Sequence, residues 1–195
     1  FPGTYTEDVT AGSMFHWPNR QNITLKTTNE TTGVATLDAQ FLGRVISLEG
    51  AVGLTIEGVT IKNGMLAGAE DGGGIYLAQG SRLLLVNDIM DNCSTEAGAG
   101  GAVYSENSTV EARNSSFTNN SAWDGGVAWM GEWRVENCSF DGNSAVDSGG
   151  VTGWGDWTAS NCAFSSNTAL VKGGVSNVTN FRAVNCVFKD NGAAG

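Results

Sequence analysis

The sequence is poor in charged residues, in histidine and in proline. Charged side chains make up 15% of the 195 residues, and there are only one histidine and two prolines. Ten basic and twenty acidic residues give a formal net charge of −10. This balance argues against a nucleic-acid partner, because binding to phosphates depends on lysine and arginine. No apolar run approaches the roughly 18 residues of a membrane-spanning helix, so we expect no membrane span in this chain.

Glycine, in contrast, is abundant at 28 residues, and much of it belongs to an internal repeat. One marker of the repeat is an asparagine, found at Asn87, Asn114, Asn137, Asn161 and Asn185 with spacings of 27, 23, 24 and 24 residues. The second glycine of a Gly-Gly pair keeps the same period, at Gly74, Gly101, Gly126, Gly150 and Gly174. Two independent markers with one period indicate a repeat architecture.

Apolar residues alternate within each repeat, as at Trp133, Val135, Cys138 and Phe140. A period of two indicates β-strands, and we expect three short strands and three corners in each repeat. The sequence therefore predicts an all-β fold, a parallel β-helix (β-solenoid) with about 24 residues per coil. We expect a single domain over 1–195, with an irregular N-terminal cap and first strands in 1–33 and stacked coils in 34–195.

Two sets of asparagines are predicted to stack from coil to coil and to satisfy the backbone at the corners. They are Asn114, Asn137, Asn161 and Asn185 in the first ladder, and Asn120, Asn143, Asn167 and Asn191 in the second. A column of Phe117, Phe140, Phe164 and Phe188 is expected in the core, with Cys138, Cys162 and Cys186 buried beside it.

The cysteines are interpreted mainly as small buried side chains. The stacking distance also permits one bridge, Cys138–Cys162 or Cys162–Cys186, while Cys93 is expected to be unpaired. No Cys-x-x-Cys spacing is present and His16 is the sole histidine, so we expect no zinc site, no catalytic triad and no cofactor.

One row of apolar residues is predicted to point outward at a corner, namely Trp123, Val146 and Leu170. Such a row is a candidate surface for a glycan or for a neighbouring protomer, unless a longer loop folds over it. Asp124 and Asp147 beside the Gly-Gly corner, with Asp71 on an earlier coil, form a row that Lys172 interrupts, and they fit turn residues better than catalytic or calcium-binding groups. Glu132 and Asp156, which stack just outside the tryptophan row, are likewise not expected to be catalytic or calcium-binding groups.

Eight Asn-x-Ser/Thr sequons begin at Asn22, Asn29, Asn92, Asn107, Asn114, Asn119, Asn137 and Asn177. In a secreted eukaryotic protein these are acceptors for glycans, and this number predicts an extracellular or cell-surface location. The competing explanation is that the asparagines serve the backbone. Asn22, Asn29, Asn107 and Asn177 lie outside the predicted ladders, which makes them the better candidates.

The repeat Phe-x-x-Asn, as in Phe117-x-x-Asn120 and Phe140-x-x-Asn143, followed by Gly-Gly-Ala/Val, resembles the short repeat of chlamydial polymorphic outer-membrane proteins. The segment LTIEGVTIKNG at 54–64 also resembles the opening coils of pectin lyase-like proteins. The resemblance covers roughly residues 34–195 and implies a right-handed parallel β-helix. Members of this kind are mainly surface adhesins or extracellular proteins.

We therefore expect a non-enzymatic, extracellular structural or adhesive glycoprotein that forms fibres or binds surface glycans. The alternative is a polysaccharide lyase, hydrolase or epimerase of the pectin lyase-like group. The last repeat stops before its Gly-Gly corner, so we expect the open coil ends to pair with another copy or with the rest of a longer chain.

Overall fold

The computed structural model describes residues 3–6, 12–18, 22–27, 34–50, 52–78, 80–178 and 180–195. Every regular element in these ranges is a strand, and they contain no helix of the length and apolarity that a membrane crossing requires. The first nine strands are β1 (Gly3–Tyr5), β2 (Ser13–Pro18), β3 (Ile23–Lys26), β4 (Ala35–Asp38), β5 (Arg44–Glu49), β6 (Gly53–Glu57), β7 (Val59–Lys62), β8 (Met65–Leu66) and β9 (Ile75–Leu77). The next nine are β10 (Arg82–Val86), β11 (Ile89–Asp91), β12 (Ser94–Thr95), β13 (Val103–Ser105), β14 (Thr109–Arg113), β15 (Ser116–Thr118), β16 (Ser121–Ala122), β17 (Ala128–Trp129) and β18 (Glu132–Glu136). The last eight are β19 (Ser139–Asp141), β20 (Ser144–Ala145), β21 (Asp156–Ser160), β22 (Ala163–Ser165), β23 (Thr168–Ala169), β24 (Asn180–Val184), β25 (Val187–Lys189) and β26 (Gly192–Ala193).

The strands pair in parallel and form four sheets along the axis of a β-solenoid. We number the sheets in the order in which a coil visits them. Sheet I contains β3, β6, β10, β14, β18, β21 and β24, and sheet II contains β1, β4, β7, β11, β15, β19, β22 and β25. Sheet III contains β8, β12, β16, β20, β23 and β26, and sheet IV contains β2, β5, β9, β13 and β17. Isolated bridges through Thr152 continue sheet IV into the later coils.

The coils differ from the sequence prediction in two details. A fourth strand is present in each regular coil. The sequence analysis misses it because the two residues of a sheet III strand, such as Ser121–Ala122, are too few to show an alternation of apolar and polar residues. The coil length also varies along the chain. It is 29 residues at Val52, 27 at Cys93, 23 at Asn120 and 24 at Asn143, so the period of 24 applies to the later coils only.

Asparagine and glycine fit the two sharp corners for conformational reasons. At the corner after sheet I, the backbone of Asn114, Asn137 and Asn161 has φ of 51–53°, the left-handed region that asparagine tolerates better than most residues. At the corner before sheet IV, Gly125 has φ of 62°. A Cβ at Gly126 would meet the carbonyl oxygen of Gly150 in the next coil, so only glycine permits this stacking distance.

The interior of the solenoid is one continuous hydrophobic cluster. Phe117, Phe140 and Phe164 are in register in sheet II and fully buried, with ring centroids 4.9 and 4.7 Å apart. Trp133 and Trp157 stack beside them at 4.8 Å. The two columns meet edge to face, with the centroids of Phe117 and Trp133 6.3 Å apart, which is a favourable geometry for aromatic rings.

Phe188 and Cys186 are less buried than the sequence predicts. Phe188 stacks on Phe164 at 4.8 Å, yet 49% of its surface is exposed, and Cys186 is half-buried. The physical reason is that no described residue packs over the final coil.

Candidate functional site

The apolar row predicted to point outward, which we call the lateral stripe, consists of Trp123, Val146 and Leu170. These residues follow the in-register strands β16, β20 and β23, so they lie one above the other at the coil spacing of about 4.8 Å. Their exposed fractions are 47%, 40% and 60%. Val171 is also exposed and widens the stripe beside Leu170. No loop within the described ranges covers it.

The second asparagine ladder is buried at Asn120, Asn143 and Asn167 and half-buried at Asn191, and its side chains are hydrogen-bonded from coil to coil. The Asn143 Nδ2 donates to Phe117 O at 3.0 Å and to Asn167 Oδ1 at 2.9 Å. Its Oδ1 accepts from the backbone N and the Nδ2 of Asn120, both at 3.0 Å. Asn191 completes the same pattern at the last coil. This ladder therefore holds the corner after sheet II together from coil to coil.

The first asparagine ladder lies in register at the corner after sheet I, but its side chains are exposed. Asn137 Nδ2 donates to Asn114 Oδ1 at 3.3 Å, and Asn185 Nδ2 donates to Asn161 Oδ1 at 3.4 Å. These bonds are long, so the main contribution of this ladder is its left-handed backbone.

Cys138, Cys162 and Cys186 line the inside of the same corner, and all four cysteines of the chain are free thiols. The backbone N of Cys138 donates to Cys162 Sγ, and that of Cys162 donates to Cys186 Sγ, both at 3.4 Å. The interaction with the Cys138 thiol, together with the bond from its backbone N–H, lowers the pKa of the Cys162 thiol. Cys93 lies at a different corner, in the column of the buried asparagines, and burial raises the pKa of its thiol to about 12.

The acidic residues near the glycine corner do not form the row suggested by the sequence. Asp124 Oδ1 accepts from Ser148 Oγ at 2.7 Å and from Ser148 N at 3.2 Å, so it is Ser148, and not Asp147, that stacks on Asp124. Asp71 Oδ1 accepts from Ala99 N at 2.7 Å. The carboxylates of Asp71 and Asp124 thus accept hydrogen bonds from backbone N–H groups of the next coil. Within the described ranges, no three His, Cys, Asp or Glu side chains come close enough to hold a metal ion.

Seven of the eight sequons begin at described residues, and all seven asparagines are exposed. Asn29 lies outside the described residues. Six of the seven have φ between 46° and 57°, namely Asn22, Asn92, Asn107, Asn114, Asn119 and Asn137. The backbone therefore accounts for asparagine at these six corners, whereas Asn177 is not among the residues with positive φ.

The outer face of sheet IV carries an aromatic column that the sequence analysis does not single out. Tyr76 and Tyr104 stack in parallel with ring centroids 5.3 Å apart, and Trp129 is in register with Tyr104. The Trp154 ring lies 6.3 Å from Trp129 and is 62% exposed. Arg44 covers the other end, 5.1 Å from the centre of the Tyr76 ring. The sequence does contain a signal for this column, because Tyr76, Tyr104 and Trp129 occupy the same repeat position in three successive coils.

Trp154 belongs to an open cleft between sheets IV and I. A cavity of about 420 Å³ is lined by Asn107, Ser108, Thr109, Met130, Gly131, Glu132, Trp154, Gly155 and Asp156. A second cavity of about 340 Å³ is lined by Glu132, Asp156, Trp157, Thr158, Asn180, Phe181 and Arg182. Because both cavities share Glu132 and Asp156, we treat them together and call them the cleft.

The two carboxylates of the cleft lie on adjacent coils. Glu132 and Asp156 are paired residues of β18 and β21, which places them directly above one another. Glu132 forms an ion pair with Arg134, and Asp156 Oδ1 accepts from Asn180 Nδ2 at 2.8 Å. Both side chains are exposed, so their remaining oxygen atoms are open to a ligand.

Comparison with known proteins places the fold. Residues 44–195 match the family model described as the right-handed beta helix region. No curated protein and no solved structure gives a significant match to the chain. The matched segment covers well over half of the chain and includes most of the four sheets, and its fold fits the pectin lyase-like architecture. The chain belongs to the right-handed beta helix family.

Proposed function

We propose that the protein is an extracellular, non-enzymatic structural and adhesive glycoprotein that associates with a second copy of itself through the lateral stripe. The observation that carries the proposal is the exposure of Trp123, Val146 and Leu170 in one row along the corner after sheet III. Clusters of exposed large apolar side chains on soluble proteins mark interaction sites. The extracellular part is supported by the sequons, above all by that of Asn177, an exposed asparagine that the backbone does not account for.

The period of the stripe favours a second copy as its occupant. Apolar side chains that recur at the coil spacing fit best against a row with the same repeat distance, and another molecule of this chain supplies such a row. Charge favours an antiparallel arrangement of the two stripes. Exposed Glu96 precedes Trp123 by one coil at the same position, while exposed Lys172 lies beside the other end of the stripe, two residues after Leu170 in the same coil. A twofold axis brings each Glu96 towards the partner molecule's lysine.

The proposal is tested with Trp123→Ser by sedimentation velocity over a range of protein concentrations. The natural protein is expected to associate as its concentration rises, and the variant is expected to need at least about tenfold more protein, because the largest apolar contact is lost. Trp154→Ser is the matched control, since it removes an exposed tryptophan outside the stripe. A natural protein that stays monomeric at millimolar concentration overturns the proposal, as does equal weakening by the control.

The alternative function is that of a polysaccharide-active enzyme, and one observation favours it. Glu132 and Asp156 are two carboxylates on adjacent coils of a cleft, and paired carboxylates are the groups that act in glycoside hydrolysis. Asp124 and Asp147 are weaker candidates, because Asp124 is occupied by Ser148 and the two do not stack.

The enzyme alternative predicts turnover of a polysaccharide. Incubation with pectate, alginate and neutral glycans, followed by absorbance at the wavelength of unsaturated products and by a reducing-end assay, tests it. Turnover that disappears in both Glu132→Gln and Asp156→Asn would replace the non-enzymatic proposal.

A further inference from the structure

The cleft exists because two successive connections between sheets IV and I are short. Met130 and Gly131 form one connection and Trp154 and Gly155 form the next, whereas the longer connection of the preceding coil, residues 106–108, forms one wall. Gly131 and Gly155 have φ of 77° and 107°, and a Cβ at Gly155 would meet the carbonyl oxygen of Gly131. Because both positions are glycine, no side-chain atom fills the bottom of the cleft.

An exposed indole lies at the edge of this cleft. Trp154 is 62% exposed, although its neighbour Trp129 is largely covered and the two rings are tilted by 44°. A tilted and exposed ring presents part of its face to a ligand, and the polarised C–H groups of a sugar ring pack well on such a face.

The polar groups that line the cleft are mainly uncharged hydrogen-bonding groups and carboxylates, and Arg182 is the one cation among its lining residues. Asn107, Thr109, Thr158 and Asn180 supply amides and hydroxyls, and Glu132 and Asp156 supply acceptors for vicinal sugar hydroxyls. Trp157 lines the same cleft, and its buried Nε1 has no acceptor within the described residues. The carboxylates and the net charge of −10 disfavour an acidic polymer.

We propose that the cleft binds an uncharged polysaccharide chain, with one sugar ring packed on Trp154 and its hydroxyl groups donating to Glu132 and Asp156. The proposal goes beyond the self-association proposed above, because it adds a polysaccharide as a second binding partner. It uses a different surface from the lateral stripe, which follows sheet III, so each proposal can fail without the other.

The test uses the whole chain produced in a host without N-glycosylation, since Asn107 opens a sequon at the wall of the cleft. Hexasaccharides of the β-glucan, xylan, mannan and chitin types are titrated by calorimetry, alongside oligogalacturonate and oligomannuronate. We expect binding to at least one uncharged hexasaccharide and at least tenfold weaker binding to both acidic ones. We expect Trp154→Ala to weaken that binding about tenfold or more at an unchanged melting temperature.

Trp123→Ala is the matched control, because it removes an exposed tryptophan of the lateral stripe and is expected to leave the affinity unchanged. Asp156→Asn is expected to weaken binding less than Trp154→Ala does. No binding of any uncharged hexasaccharide at millimolar concentration overturns the proposal. Tighter binding of an acidic one, or an affinity that Trp154→Ala does not change, also overturns it. If self-association of the natural protein persists in that case, the failure belongs to the cleft alone.

Discussion

In successive coils, the residue that follows the left-handed corner asparagine points inward. Its side chain accepts a hydrogen bond from a backbone N–H of the preceding coil. Asp88 Oδ1 accepts from Val59 N at 2.8 Å, and Ser115 Oγ accepts from Asp88 N at 3.1 Å. Cys162 and Cys186 accept in the same way in later coils. A carboxylate, a hydroxyl and a thiol all serve, so the position requires an acceptor and not a thiol.

Asp88→Ser tests the one charged member of this column. Burial raises the pKa of Asp88 to about 7, and the charge of Glu57 adds to the rise, against about 3.9 in an unfolded chain. The folded protein therefore holds this proton more tightly, and the stability from Asp88 is fully present below about pH 4 and is lost as the pH rises through 7. The serine of the next coil offers an acceptor that does not titrate.

The measurement is urea unfolding of both proteins between pH 4 and pH 8. The difference in free energy of unfolding is expected to move in favour of Asp88→Ser by roughly 2–4 kcal/mol as the pH rises. Glu57→Gln is the control and is expected to keep most of the pH dependence. A difference between the natural protein and Asp88→Ser that does not vary with pH contradicts the assignment.

The two asparagine ladders look alike in the sequence but contribute differently to the free energy of unfolding. Asn143→Ala removes four hydrogen bonds and leaves buried groups such as Phe117 O and Asn120 N without partners. We expect it to lower the free energy of unfolding by about 3 kcal/mol or more. Asn137→Gly keeps the left-handed backbone and loses one long, exposed bond, so we expect a change within about 0.5 kcal/mol. Equal losses in urea unfolding would show that burial does not separate the ladders.

The phenylalanine column offers a second matched pair. Phe140 is fully buried between Phe117 and Phe164, so Phe140→Ala is expected to cost about 3–5 kcal/mol. Phe188 has the same position in its repeat but is 49% exposed, and Phe188→Ala is expected to cost about 1 kcal/mol or less. Chemical denaturation measures both, and a loss below 1 kcal/mol for Phe140→Ala contradicts a packed column.

The elements that the sequence predicts well are those whose residues repeat. The five-residue strands of sheet I and the corner asparagines return at a nearly constant spacing, so their stacking follows from the period alone. The register of Asp124 could not be predicted, because one extra residue in the coil of Asp147 shifts its alignment to Ser148. The cleft was missed for a similar reason, since it arises from a difference in length between connections of successive coils.

Along the full solenoid, the parallel stacking that makes the fold also brings the surface residues of successive coils close together. Sequon asparagines on adjacent coils, such as Asn114 and Asn137, are separated by the coil spacing of about 4.8 Å, and their amides already share a hydrogen bond. Two branched glycans do not fit side by side at that distance. Asn107 and Asn177 lie outside the ladders, in connections where the chain leaves sheet IV for sheet I.

We therefore expect Asn107 and Asn177 to carry glycans more often than Asn114 and Asn137 when the chain passes through a eukaryotic secretory pathway. Site-resolved glycopeptide mapping measures the occupancy, and Asn137→Gln is the control, since it should relieve the crowding and raise the occupancy of Asn114. Full occupancy at Asn137 with none at Asn107 contradicts the expectation. A glycan at Asn107 would also stand at the wall of the cleft, so the occupied form is expected to bind uncharged hexasaccharides more weakly than the enzymatically deglycosylated form.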